Sequence, residues 1–276
     1  KILAEKNDLE KEQSELKKIL KSKKKINELI QNEIKQDTKD FGDDRRTTLN
    51  ESAITSQALD QTQLASSDPV TIVLSKAGWV RAAKGTLDDP RSLNYKSGDD
   101  YLSSVPGRSN QFAVFIDSTG RVYSIVADTL PSARSNGEPL SSRLNPPDGA
   151  YFAGVISGDP TQHWLLSSSA GYGFFVKLED LYTKNRKGKT CLSVKGSEVL
   201  IPSNATSVGY PEETYIAAAN SAGKLLIFKS NELMEMSKGK GLKIIGINSK
   251  KFKEGKEKMV SAIVIGPNDS IRVYSG

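Results

Sequence analysis

A short glycine turn between two apolar, β-prone runs recurs along this chain, and it constrains the fold more than any other feature. The turns read SKAGWV, DSTGRV, SSAGYG and NSAGKL, and they centre on Gly78, Gly120, Gly171 and Gly223. A fifth turn is predicted at residues 268–270, which makes the successive intervals 42, 51, 52 and 47 residues. A multi-stranded unit that repeats every 40–50 residues is typical of blades arranged around an axis.

Short runs with alternating apolar residues flank each turn and are predicted to pair as hairpins. In chain order these are residues 70–74 with 79–83, 111–116 with 122–126, 163–167 with 173–178, 214–218 with 225–228, and 262–265 with 271–274. The sequence therefore predicts a mainly β, propeller-like domain of about five blades.

A polar or basic stretch that contains glycine follows each of the first four hairpins. These stretches read NYKSGDD, SARSNGEPL, KNRKGKTCL and SKGKGLKII. Gly137, Gly188 and Gly239 lie 17, 17 and 16 residues after their hairpin glycines, and Gly98 lies 20 after the first. Because loops at one place in every repeat fall on a common edge of the ring, we expect them to form one rim.

Positive charge is clustered rather than spread. The net charge is +6, the pI is about 9.1, and lysines and arginines concentrate in residues 184–195 and 238–258. Such clusters suit an anionic partner, most commonly nucleic acid, although a solvated lysine-rich surface is the alternative.

Several classes of protein are excluded or disfavoured by composition. Mean hydropathy is −0.44, and no apolar run approaches the roughly 18–20 residues that cross a bilayer. The single cysteine excludes an intramolecular disulfide and fits a reducing cytoplasm. The chain starts at Lys1 with no signal-peptide pattern, so we expect a cytoplasmic localisation and a piece of a longer protein.

Residues 1–37 predict one long helix without Gly or Pro. Leu9, Leu16 and Leu20 belong to a near-heptad apolar stripe that is expected to bury against partner helices and to favour self-association when exposed. Gly42 is expected to end the helix. We divide the chain into residues 1–46, the end of a coiled-coil core, a polar linker at 47–69, and the β domain at 70–276.

No catalytic constellation is visible. The one histidine, His163, lies inside a β-run, and Cys191 lies in an apolar segment, so both are interpreted as structural. No Cys or His pair has metal-ligand spacing. The chain is therefore expected to carry out no chemistry by itself.

Several multi-residue motifs are similar to one known family. DPVTIVLSKAGWVRAAKG, FIDSTGRVYSI, TLPSARSNGEPL and LMEMSKGKGLKII resemble the C-terminal domain in the A subunits of bacterial topoisomerase IV (the ParC family), a branch of the type IIA topoisomerases. FGDDRRTTL resembles the end of the breakage-reunion core of that family, and the helix before it resembles one arm of its coiled coil.

The resemblance implies a β-pinwheel, a propeller-like ring whose rim binds and bends double-stranded DNA and selects its topology for ATP-dependent decatenation and supercoil relaxation. It implies as partners a B subunit (ParE) and a second A subunit in an A2B2 tetramer. The nucleophile, the metal-binding carboxylates and the ATP and Mg sites would lie elsewhere, so no cofactor is expected in this fragment. The first loop, AKGTLDDPRSLNYKSGDD, lacks the basic box of gyrase A subunits.

The candidate DNA contacts are the rim cations, which would bind phosphates rather than base edges. They are Lys84, Arg91, Lys96, Arg108, Arg134, Arg143, Lys184, Arg186, Lys187, Lys189, Lys238, Lys240 and Lys243. Two alternatives stay open: a gyrase-type wrapping domain, and a propeller that docks proteins without binding DNA.

Overall fold

The computed structural model describes residues 2–43, 67–210 and 212–272. The chain divides into two compact units, Lys1–Gln57 and Ala58–Gly276. The first unit is helical and the second is built of β-sheets.

The described residues of the helical unit form two helices, α1 (Ile2–Leu20) and α2 (Lys23–Phe41), so the prediction of one continuous helix over residues 1–37 is wrong. Ser22 interrupts it with extended backbone (φ −127°, ψ 109°), and its carbonyl accepts the first amide bond of α2, from Ile26. Serine favours helix N-termini, and the lysines that crowd this junction repel one another. Neither helix buries a residue, and Leu9, Leu16 and Leu20 are exposed.

The β unit is built from a hairpin and a further strand or strands that recur along the chain. Its strands are β1 (Pro69–Ser75), β2 (Trp79–Lys84), β3 (Tyr101–Arg108), β4 (Phe112–Asp117), β5 (Arg121–Val126), β6 (Glu138–Pro139), β7 (Phe152–Ile156), β8 (His163–Ser168), β9 (Tyr172–Lys177), β10 (Lys189–Thr190), β11 (Ser203–Asn204), β12 (Tyr215–Asn220), β13 (Leu225–Lys229), β14 (Leu242–Lys243) and β15 (Met259–Ile265). A short helix, α3 (Ser249–Lys253), precedes β15.

Four antiparallel sheets form four blades, with strand orders β3-β1-β2-β6, β7-β4-β5-β10, β11-β8-β9-β14 and β15-β12-β13. The terminal strands β6, β10 and β14 each follow the hairpin of the next blade, so each of the first three blades is completed by its successor. This exchange of outer strands explains why the polar loops recur at a fixed interval after each hairpin.

Glycines make the strand exchange possible. One glycine lies just before each donated strand, and its φ is positive: Gly137, Gly188 and Gly241. Each of these glycines lies against the backbone of the residue that is two positions after a hairpin glycine. A Cβ would lie 2.3 Å from the Val80 carbonyl oxygen at Gly137 and 2.1 Å from that of Gly173 at Gly241. In the fourth stretch, SKGKGLKII, the equivalent residue is therefore Gly241, not the predicted Gly239.

The prediction of about five blades is wrong, because the described residues form four. Residues 262–265 lie in β15, which pairs with β12, for example Ala262 with Ala218, rather than starting a fifth hairpin. Ile271 and Arg272 are not in a strand, and residues 273–276 of the predicted hairpin lie outside the described residues. Alternating apolar residues mark an innermost strand as well as a hairpin strand, so the pattern alone did not separate them.

The core lies between successive blades. Phe115, Tyr123 and Phe174 are fully buried in one cluster that joins the first three blades. Leu165 and Phe175 of the third blade pack in a second cluster that includes residues of the fourth. The hairpins of the second and third blades thus have one face toward the preceding blade and one toward the next.

Candidate nucleic-acid interface

A central cavity of about 960 Å³ shows which edge of each blade faces inward. Its lining includes Val105 of β3, Phe152 of β7, Ser203 of β11 and Ala262 of β15, which are the terminal strands at one edge of the four sheets. The opposite edges, formed by β6, β10 and β14, therefore form the outer rim. The basic loops that lead into these strands lie along that rim.

The two most basic loops adjoin each other. The segment after β10 bonds to the turn of the second hairpin, where the amides of Cys191 and Leu192 donate to the Gly120 carbonyl at 2.9 and 3.0 Å. The next loop then bonds to this segment, since Ser193 donates to Gly239 at 2.7 Å and Gly239 donates to Cys191 at 2.8 Å. KNRKGK and SKGKGLK are thus neighbours on one rim.

Most of the candidate cations on or near the outer rim have exposed side chains. Lys84, Arg91, Lys96, Arg108, Arg134, Lys184, Arg186, Lys187, Lys238, Lys240 and Lys243 are exposed. Lys84 and Arg108, at the ends of β2 and β3, lie at the blade end away from the turns.

Three candidates are already engaged within the protein. Lys189 is half-buried and its ammonium donates to the Asp180 carbonyl at 2.5 Å. Arg143 is half-buried, pairs with Glu138 and donates to the Thr129 carbonyl at 2.6 Å. Arg108 donates to the Ser67 carbonyl at 3.0 Å. The bonds of Lys189 and Arg143 hold the loops in place and leave these groups less available to a phosphate.

Two lysines are held by aromatic rings. The Lys96 ammonium lies 3.3 Å from the centroid of Trp79, and that of Lys240 lies 3.5 Å from the centroid of Tyr172. Trp79 and Tyr172 occupy the same place in their blades, directly after the turn glycine. A cation over a ring is attracted by the ring's quadrupole, which restricts where the ammonium points.

Sequence reasoning missed two cations at this same place in the other two blades. These are Arg121, whose guanidinium donates to the Lys187 carbonyl at 3.2 Å, and the exposed Lys224. The signal that could have found them is their position, one residue after Gly120 and Gly223.

The stretch NYKSGDD, which carries Lys96, is not equivalent to the later loops. It has no preceding blade to complete, and residues 85–100 instead pack on the outward face of the first blade, where Arg81 lies 4.7 Å from the ring centroid of Tyr95. Arg91 belongs to the same segment and lies over Tyr101 at 5.5 Å.

The residues without an interface role have structural surroundings. His163 lies 2.9 Å from the Glu235 carboxylate and 5.0 Å from the Tyr210 ring, measured between centroids. Burial raises the pKa of the Cys191 thiol to about 12, which keeps it protonated at neutral pH. Within residues 2–43, 67–210 and 212–272, no group of three or more His, Cys, Asp or Glu could hold a metal. No helix in those ranges has the length and apolar character of a membrane span.

Four blades among the described residues, three of them completed by an outer strand from the next blade, together with a basic rim, define a β-propeller of the class found in topoisomerase A subunits. Residues 214–265 match the family model described as the DNA gyrase C-terminal domain, a beta-propeller. The chain is similar to the solved Escherichia coli ParC C-terminal domain, with 42% identity, a TM-score of 0.64, and coverage of 72% of this chain and 80% of that one. A C-terminal domain of DNA topoisomerase IV at 15% identity, with a TM-score of 0.59, shares the fold.

Proteins longer than this chain are similar to it over its whole length and identify its family. Over the whole chain, it is 44% identical to the A subunit of DNA topoisomerase 4 from Pseudomonas aeruginosa and 40% identical to the one from Escherichia coli. The chain belongs to the family of topoisomerase IV A subunits, which confirms the resemblance of its motifs. It spans 36% of the length of these relatives.

Proposed function

We propose that this chain is the DNA-binding and DNA-bending module of a topoisomerase IV A subunit, and that it helps to select DNA topology for decatenation and supercoil relaxation. The observation that carries the proposal is the adjacency of two basic loops on the outer rim, KNRKGK at 184–189 and SKGKGLK at 237–243, whose cations are exposed except for Lys189. Lysines and arginines placed along a curved rim can neutralise successive phosphates of a bent duplex and release their counterions.

The rim favours backbone contacts over sequence reading. Its cations stand on short loops and two-residue strands, and no helix of the described β unit is long enough to fill a major groove, since α3 has five residues. Phosphate contacts fix position without reading base edges, which suits an enzyme that must act on any sequence.

The role within the intact enzyme is part of the proposal. The relatives are named as subunits of topoisomerase IV, so we infer a cytoplasmic A2B2 assembly with a second A subunit and the B subunit, with ATP and Mg bound outside this chain. By itself the chain would bind a duplex without cleaving or passing it.

Replacing Arg186 and Lys187 by Ala tests the rim directly. Binding to any duplex should weaken, and the slope of log affinity against log salt should become shallower by about 1.8, because each phosphate contact contributes roughly 0.9. The measurement is a salt titration of duplex binding, with thermal melts to check folding.

Lys189→Ala is the matched control within the same loop. Its ammonium is bonded to Asp180, so we expect a lower melting temperature with little change in the salt slope. An unchanged slope in the double variant would show that this loop does not touch DNA. A wild-type chain with no duplex affinity would instead favour a protein-docking propeller.

A further inference from the structure

Each blade has two ends, and they differ in the charged side chains that they present. The second hairpin strand begins one residue after the turn glycine in the first three blades and two residues after it in the fourth. In all four blades it ends six residues after that glycine, so the two ends of a blade are separated by roughly 17 Å. We call the end with the turns the turn face and the other end the far face. On the turn face, the residues directly after the turn glycines are Trp79, Arg121, Tyr172 and Lys224. On the far face, the last residues of the second hairpin strands are Lys84, Val126, Lys177 and Lys229.

The turn face presents one cation in every blade. In the first blade the Lys96 ammonium lies over the ring of Trp79, and in the third the Lys240 ammonium lies over the ring of Tyr172. Arg121 supplies the cation in the second blade and Lys224 in the fourth.

Donated outer strands add further charge at this end. Lys243 pairs with Tyr172, and Lys187 adjoins Arg121 through its carbonyl.

Three acids that lie near the turn face are already engaged. Asp100 is 2.8 Å from Lys76, Glu198 is 2.8 Å from Lys258, and the Asp99 carboxylate accepts the Ala77 amide. The Lys76 ammonium helps to hold the pKa of Asp100 below its usual value. These carboxylates therefore oppose the cationic character of the turn face only weakly.

The far face presents carboxylates at equivalent positions. The second strands of the last three blades run into 3-10 turns that carry the exposed Asp128, Glu179 and Glu232. The first residue of each turn donates its amide across the far end of its own hairpin, as Ala127 does to Gln111, Leu178 to Gln162, and Ser230 to Thr214.

Far-face lysines are partly offset by acids. Lys177 lies 3.6 Å from Glu235, and the first blade, where Lys84 is the lysine, carries the exposed Asp88 and Asp89 just beyond β2. Each blade therefore has an exposed carboxylate close to this end.

We propose that the duplex runs along the turn face, from Lys96 past Arg121 and Lys240 to Lys224, and avoids the far face, so that Lys84 and Arg108 are no longer candidate DNA contacts. This rests on the proposed function, which it deepens by naming the contact path. The two ends are separated by more than the Debye length, which is about 8 Å at physiological salt. The charges of the far face are therefore largely screened from phosphates that lie along the turn face. Trp79 and Tyr172 are positioning residues that aim their lysines outward.

The chain offers a matched pair of variants for the test. One variant replaces the turn-face lysines Lys96, Lys224 and Lys240 by Ala, and the other replaces the far-face lysines Lys84, Lys177 and Lys229 by Ala. Both lose three positive charges from exposed or half-exposed positions. The probe is a linear duplex of mixed sequence, titrated with salt.

We expect the turn-face variant to bind at least about tenfold more weakly near 0.1 M salt, with a slope shallower by up to about 2.7. The far-face variant should stay within about twofold of wild type, because the lysines it loses lie off the contact path. An equal loss in both variants, or a larger loss in the far-face variant, would overturn the path while leaving DNA binding in place. Absence of duplex binding by wild type would contradict the proposed function itself.

A second measurement needs no variant. Acylation of lysines in the wild-type chain, read by mass spectrometry with and without duplex, should show protection of Lys96, Lys224 and Lys240 and unchanged labelling of Lys84 and Lys229. The reverse pattern would place the duplex on the far face.

A further pair of variants tests whether an aromatic ring positions its lysine. Tyr172→Leu should weaken binding about two- to threefold by freeing Lys240, and Tyr172→Phe should restore wild-type affinity because the ring is kept. Equal binding by the Leu and Phe variants would show that the ring does not position the lysine.

Discussion

Among the described residues, the first and fourth blades end the array, and each has one sheet face without a neighbouring blade. In the first blade this outward face carries Thr71, Val73 and Arg81, which are all at most 4% exposed. In the fourth blade the outward face carries Leu225, Ile227 and Ile263, which are 49%, 47% and 39% exposed. The difference lies in what covers each face.

Residues 85–100 cover the first blade with polar contacts. The Thr71 hydroxyl donates to the Gly85 carbonyl at 2.9 Å and accepts the Leu87 amide at 3.1 Å. Arg81 stacks over Tyr95, whose hydroxyl donates to the Pro90 carbonyl at 2.8 Å. Burial raises the pKa of this tyrosine. The segment works as the polar cap that the end of a repeat array needs.

The fourth blade has neither a cap nor a fourth strand among the described residues. β13 is the edge of a three-stranded sheet, whereas β2, β5 and β9 are each covered by a donated strand. Ile227 corresponds in position to the fully buried Phe175, since each lies four residues after the turn glycine of its hairpin. A blade face is thus stabilised mainly by its neighbour, not by its own hairpin.

The largest expected effect contrasts these two equivalent positions. Phe175→Ala should lower the free energy of unfolding by about 3–5 kcal/mol, because it opens a cavity between the third and fourth blades. Ile227→Ala should cost less than about 1 kcal/mol, since nearly half of that side chain is already exposed. Chemical denaturation of both variants measures the difference. A cost at Ile227 as large as that at Phe175 would mean that the fourth blade is covered in solution.

An intermediate effect is expected at the cap of the first blade. Tyr95→Ala should cost about 1–3 kcal/mol, because it removes the stack on Arg81 and leaves that buried guanidinium with fewer partners. Tyr95→Phe is the control, since it keeps the ring and loses only the bond to Pro90, and it should cost about 1 kcal/mol. If the Ala variant melts like wild type, residues 85–100 do not stabilise this face.

The hairpins and their glycine turns could be predicted from the sequence, because period-two alternation and turn residues are local signals. The adjacency of the loops around Lys187 and Lys240 was also accessible, since it follows from their fixed interval. The exchanged outer strands were not, because two residues such as Leu242 and Lys243 carry no periodicity. The role of β15 depends on tertiary pairing, which a single-strand pattern does not encode. The break at Ser22 lies in a helical pattern without Gly or Pro, so no strong helix breaker marked it.

The smallest expected effect tests the open face against the capped one with a pair of substitutions. Leu225→Thr places a hydroxyl at a half-exposed edge position where water can bond to it, and threonine has the β-branched shape that strands favour. We expect the free energy of unfolding to stay within about 0.5 kcal/mol of wild type. The matched change on the capped face is Thr71→Val, which keeps the shape but removes the bonds to Gly85 and Leu87 and should cost about 1–3 kcal/mol. Paired urea titrations measure both variants. A loss above about 1 kcal/mol for Leu225→Thr would show that the outward face of the fourth blade is buried in solution, so that both ends of the array are capped and the contrast between them disappears.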